Sequence, residues 1–141
     1  TIWEERFVGA AQDLVSLWGM GPNRIAMVGG RNNGVFVTWN GQEWTTYQLA
    51  PTPGLNGVWM RDADAVHVVG TYGTLATVDF ETGVLTEDRS VAAPDLGDAN
   101  DLHAISGDGV GHLVAVGGTL RYFVSGPFEG VVLTRELAKG E

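Results

Sequence analysis

The chain has 141 residues, 44% hydrophobic and 18% charged, a composition that suits one folded domain and excludes a disordered one. Its formal net charge of −9 argues against a general nucleic-acid binder, which needs a cationic footprint to displace counterions. It has no cysteine, so disulfides, thiolate metal sites and cysteine nucleophiles are ruled out, and no apolar run reaches the roughly 18 residues of a membrane span.

The 21 glycines favour short strands and tight turns over long helices. The chain opens on Thr1 rather than Met, which fits a lost signal peptide, a processed precursor or a shortened chain. Secreted or periplasmic residence is favoured over cytoplasmic. Trp3 lies 11 positions before Leu14, and Trp44 lies 11 before Leu55. The run "TIWEERFVG" therefore reads as a strand like the one that starts at Trp44. Residues 1–13 become the outer strand of an incomplete sheet, with Trp3 and Phe7 as an assembly edge.

A repeated spacing follows. Leu14 to Gly29, Leu55 to Gly70 and Leu102 to Gly117 each span 15 positions. An apolar residue stands three positions after each leucine (Leu17, Val58, Ile105) and another eleven positions after it (Ile25, Val66, Leu113). A valine precedes each glycine: Val28, Val69 and Val116. The units are 14–54, 55–101 and 102–141, at periods of 41 and 47 residues.

Within the first unit, strands are expected near 14–18, 24–29, 34–39 and 43–49. Asn40-Gly41 between two β-rich runs predicts a type I′ hairpin, which needs positive φ at both central positions. The second unit repeats the pattern with "AVHVVG", "TLATVDF" and "VLTEDRSV". The third does so with "HLVAVGG", "TLRYFVS" and "VVLTREL". The closing "RELAKGE" has helical composition but is short.

Four-stranded units of this length are the size of a β-propeller blade. The residues Leu14, Leu17, Trp18, Gly19, Val28, Gly29, Gly34, Trp39, Asn40, Gly41 and Trp44 resemble the propeller repeats grouped as Asp-box, YVTN and WD-like. The bacterial "VWG…VG…W-N-G-x-x-W" type is the most similar. The second unit keeps Leu55, Val58, Trp59, Val69, Gly70 and Gly73, but has Leu85 for the last Trp. The third keeps Leu102, Ile105, Gly107, Val116 and Gly117, with Ser106 at the Trp position. The resemblance implies an all-β propeller of four-stranded antiparallel blades, three per chain, plus the extra N-terminal outer strand. Three blades do not close a ring. Bare faces carrying Met27, Phe36 and Phe123 are expected, to be covered by other blades from an identical chain or from a longer protein.

No catalytic set assembles. The arginine triad and tyrosine nucleophile of sialidases have no assignable counterpart, and no serine shows a His–Asp pairing. A part of a glycan-active enzyme, with catalytic residues outside this chain, is the alternative reading. His67 reads as a packing residue; His103 and His112 lack metal-ligand spacing, and no metal or cofactor is implied. Asp95, Asp98 and Asp101 lie in a loop without the EF-hand pattern. The periodic tryptophans read as packing between blades, with sugar stacking as the rival role. The turns after each second strand vary between units: "GGRNNG", "GTYG" and "GGT". These turns and the fourth-to-first connections share one end of a blade, and loops on a rigid scaffold carry recognition, so Arg31, Asn32, Asn33, Tyr72, Asp98, Asn100 and Asp101 are candidates for contact with a protein or glycan.

Overall fold

A computed structural model of the chain describes residues 2–10, 12–62, 64–88, 100–119 and 130–138. The fold is all-β, with eleven strands and one 3-10 turn (Thr71–Gly73) among the described residues. Strands β1 (Leu14–Gly19), β2 (Ile25–Gly29), β3 (Val35–Trp39) and β4 (Trp44–Gln48) form a first antiparallel sheet in chain order. Strands β5 (Leu55–Met60), β6 (Ala65–Gly70), β7 (Leu75–Asp79) and β8 (Leu85–Glu87) form a second in the same order. The third sheet holds β9 (Asp101–Gly107), β10 (His112–Gly118) and β11 (Gly130–Glu136), with β10 in the centre.

The spacing from leucine to glycine has a steric cause. Leu14 pairs with Gly29, Leu55 with Gly70, and Leu102 with Gly117. A methyl group on any of these glycines would overlap a main-chain carbonyl: that of Asp13, Gly54 or Asp101. Just beyond each pair the register slips by one residue, leaving Val15, Asn56 and His103 as bulged residues. A bulge bends its strand and re-aims the chain that precedes it. The first strand of every sheet therefore starts at the same height, with its lead-in folded over the glycine.

Packing runs sheet on sheet. β1 lies beside β5, and β5 beside β9. Ala26, Val28 and Phe36 from the first sheet share a core with Val58, Met60, Val66 and Val68 from the second. On its other face the second sheet gives Trp59 and Val69 to a core with Leu102, Ile105, Leu113 and Ala115. Alternation along β6 thus sends successive side chains to opposite neighbours, which is why the strand is apolar but for His67. Polar links reinforce both contacts. Arg24 reaches Asp64 and Glu81, with its guanidinium 4.0 Å from the Phe80 ring centroid. The Asn56 amide donates to Leu102 O at 2.9 Å, and Arg135 pairs with Asp88.

The structure corrects several expectations. Phe36 is not on a bare face; it is fully buried between the first two sheets. It pairs across β2–β3 with Val28, and both point to the covered side. Residues 2–10 form no strand. A strand exists only as one side of a ladder, and this run is tied instead by the Thr46 hydroxyl, which donates to Val8 O. The run 130–136, expected fourth in its unit, pairs directly with β10. Alternation explains this: Val131, Leu133 and, beyond the strand, Leu137 turn onto the core while their neighbours face out. The expected third strand, 119–125, and Phe123 with it, lie almost wholly outside the described residues. Arg135 and Glu136 are strand rather than helix. At Asn40-Gly41 only the glycine has positive φ (97°). The turn is a four-residue loop in which Asn40 Oδ1 accepts the Gln42 and Glu43 N–H groups at 2.9 Å.

Gly70→Ala places a methyl against the Gly54 carbonyl in the central sheet, and should cost about 1–3 kcal/mol as overpacking does. Urea unfolding of the variant checks this, and an unchanged midpoint contradicts the steric account.

Candidate binding surface

One end of the three sheets gathers the variable turns. The β2–β3 turn (30–34), the β4–β5 link (49–54), the β6–β7 turn (71–74) and the start of β9 are joined by hydrogen bonds. Gly34 N donates to Thr52 O at 2.7 Å, and Thr71 N to Gly54 O at 2.9 Å. Tyr72 N donates to Asp101 Oδ1 at 2.9 Å, which fastens the second sheet to the third. Gly30 N donates to Asp13 O at 2.9 Å, and Thr119 Oγ1 to Asn100 Oδ1 at 3.2 Å.

Tyr72 is the described non-glycine residue with positive φ (56°, with ψ 34°). That conformation costs on the order of 1–3 kcal/mol and persists only where surroundings impose it. Asp101 imposes it here, as an almost fully buried carboxylate that grips the Tyr72 main chain. The ring is left half exposed, at 53%. Beside it a shallow cavity of about 240 Å³ is bordered by Pro53, Tyr72, Leu75, Glu87 and Asp88. An aromatic face flanked by carboxylates can stack on apolar C–H surface and accept hydroxyl or amide hydrogens.

Of the other sequence candidates, Arg31, Asn32, Asn33 and Asn100 lie on turns at the same end. Arg31 is on the neighbouring turn, its Nε 2.7 Å from Asp13 Oδ2 and its N–H 3.0 Å from Gln12 Oε1. Asn32 is exposed beside it, with its N–H 3.5 Å from the same Gln12 oxygen. Asn33 folds its carbonyl over Gly30. Asn100 is half-buried against Thr119. Asp98 lies outside the described residues. The structure thus joins Tyr72 to Asp101, and Arg31 and Asn32 to Gln12 and Asp13. Trp3 and Phe7 are on the exposed N-terminal run, away from any ladder.

Gln12, Asp13, Pro53 and Glu87 were not singled out from sequence. A signal for Asp13 existed: it stands one residue before its anchor leucine, as Gly54 and Asp101 do. A second cavity, about 180 Å³, lies between the second and third sheets, against His67, Thr77, Ile105 and Leu113, with the Asp88–Arg135 pair at its wall. His67 is buried with its ring 5.7 Å from that of Trp59. Among the described residues, no three His, Asp or Glu side chains gather closely enough to hold a metal ion. No described helix is long and apolar enough to cross a membrane.

The opposite end is closed by its own side chains. Asp108 Oδ1 accepts the N–H groups of Val110, Gly111 and His112 at 2.8–3.0 Å, and Oδ2 meets His112 Nδ1. These bonds, that to His112 first, hold the Asp108 carboxyl well below the usual carboxylate range. In return Asp108, by hydrogen bond and then by charge, raises the His112 imidazole, with Glu136 adding to it.

No family model, curated protein or solved structure matches this chain.

The imidazolium link at His112 is complete below the unfolded value and lost as pH rises through the raised folded one; the Asp108 share is lost as pH falls through its depressed value. An NMR titration of His112 should give a midpoint above 6.5, and Asp108→Asn should bring it back towards 6.5. A midpoint that ignores the substitution would contradict the pairing.

Proposed function

We propose that the chain is a non-catalytic module of the β-propeller kind. In this reading it completes a ring with further blades and presents its end turns to a protein or glycan ligand. One observation carries it. Arg31, Tyr72 and Thr119 occupy the same place in the 41- and 47-residue register, two residues after the glycine of each shared Val-Gly. The main-chain support under that place is alike in the first two sheets. Gly30 N bonds to Asp13 O, and Thr71 N to Gly54 O, each at 2.9 Å. The side chain above the support changes from guanidinium to phenol to hydroxyl. A shared main-chain bond beneath a varied residue suits a recognition surface, since specificity comes from a few placed groups on a rigid base.

The choice of ligand class follows from the groups themselves. Tyr72 offers a flat amphipathic ring, Glu87 a carboxylate beside it, and Arg31 a cation on the next turn. Sugars and peptides both present C–H faces edged with hydrogen-bond donors. The propeller arrangement itself is supported by the shared strand order of the first two sheets and by the neighbouring first strands β1, β5 and β9.

A glycan array and a peptide library, probed with the purified chain, test this. Tyr72→Ala should lose at least about tenfold in affinity for whatever is bound, because one well-packed aromatic contributes that much or more. Its melting temperature should stay nearly unchanged, since the ring is half exposed and the left-handed backbone carries a Cβ in either case. Binding that survives both Tyr72→Ala and Arg31→Ala would remove these turns from the proposal.

A further inference from the structure

We propose that the outward face of the third sheet seats the first sheet of a second copy of this chain, head to tail. This rests on the assembly half of the reading above and names its partner. Two sheet-to-sheet contacts are already built within the chain, and they use the same positions. Ala26 and Val28 of β2 close against the second sheet and are 0% exposed. The corresponding residues of β6, His67 and Val69, close against the third. The corresponding residues of β10, Val114 and Val116, are 42% and 41% exposed. They share their face with Val132 across the β10–β11 pairing, itself 66% exposed.

The receiving side shows the same order. Val58, Val66 and Val68 receive the first sheet, and Ile105, Leu113 and Ala115 receive the second. In the first sheet those positions are Leu17, Ile25 and Met27, with Leu17 64% exposed. Each open face therefore carries the half of the contact that the other lacks. Val28 and Val58 share one core, and Val69 and Ile105 share the other. The next pair in that series is Val116 of one copy with Leu17 of another. The sheet ends agree. Val78, which pairs with Val66, lines the receiving core of the second sheet, and Trp39 holds that place in the first. Trp39 borders the receiving face, paired with Ile25. Such a contact is heterologous, and continued in one direction it closes a ring or extends a filament.

The absence of cysteine makes the test direct, because single introduced thiols have no competitor. Chains carrying Leu17→Cys and chains carrying Val116→Cys are mixed and mildly oxidised. The mixed disulfide should predominate over either homodimer, and over links to a Val110→Cys control in an exposed turn. Sedimentation of the unmodified chain should show species above 15.0 kDa that grow with concentration. Val116→Asp should weaken that association about tenfold or more, since it puts a charge into an apolar contact, and leave the monomer folded. A single 15.0 kDa species up to about 100 µM would overturn the inference. Predominant Val116–Val116 links would overturn it too, but would leave assembly itself standing through a symmetric contact. Ligand binding at Tyr72 is measured separately and bears on neither outcome.

Discussion

The fold depends on one close approach, made once in each sheet. A carbonyl from the residue before the anchor leucine lies where a Cβ would stand on Gly29, Gly70 or Gly117. Any side chain there would push the first strand off the second. With glycine in place, the strand slips one residue beyond the pair and bulges at Val15, Asn56 or His103. The lead-in is then folded back over the sheet end, and that fold builds the rim. Gly54 O lies against Gly70 and accepts from Thr71, while Asp101 O lies against Gly117 as its carboxylate holds Tyr72. The steric rule that shapes the sheets also places the Tyr72 turn.

Burial separates the three sheets by role. The second has apolar neighbours on both faces, so β6 reads as an unbroken apolar run with one histidine held against Trp59. The third is covered on one face alone among the described residues: β11 alternates between core and solvent along its length, and β10 does so from His112 to Gly117. A two-faced strand and a one-faced strand thus differ in sequence for a reason visible in the packing.

Much of this was legible in the chain before folding. In the first sheet every strand boundary lies within one residue of expectation. Hydrophobic runs bounded by glycine or Asn-Gly leave little freedom there. Tyr72 and Arg31 were legible as turn residues, because they break a constant pattern. The face taken by Phe36 was not, since inner strands are apolar on both sides and alternation carries no sign. The direct pairing of β11 with β10 was hidden for a related reason: a period-two pattern states that a strand forms, not which neighbour it joins. Trp3 and Phe7 looked like strand residues, yet residues 2–10 form no ladder. The Asp108–His112 turn and the left-handed backbone of Tyr72 depend on single side chains four or 29 residues away, beyond what local composition records.

The central place of the second sheet bears on how the molecule comes apart. Stability in a row of similar units is a sum of each unit's own strength and its contacts with neighbours. The outer sheets contribute one such contact each within this chain, and the middle sheet shares in both. Opening therefore begins at the flanks, and amide hydrogens of β6 exchange last, in step with global unfolding. The Tyr72 turn is anchored to the third sheet through Asp101, so it lies across the boundary that opens early. A ligand bound there would act as a clasp between neighbouring units, slowing the first step of disassembly rather than stiffening the middle.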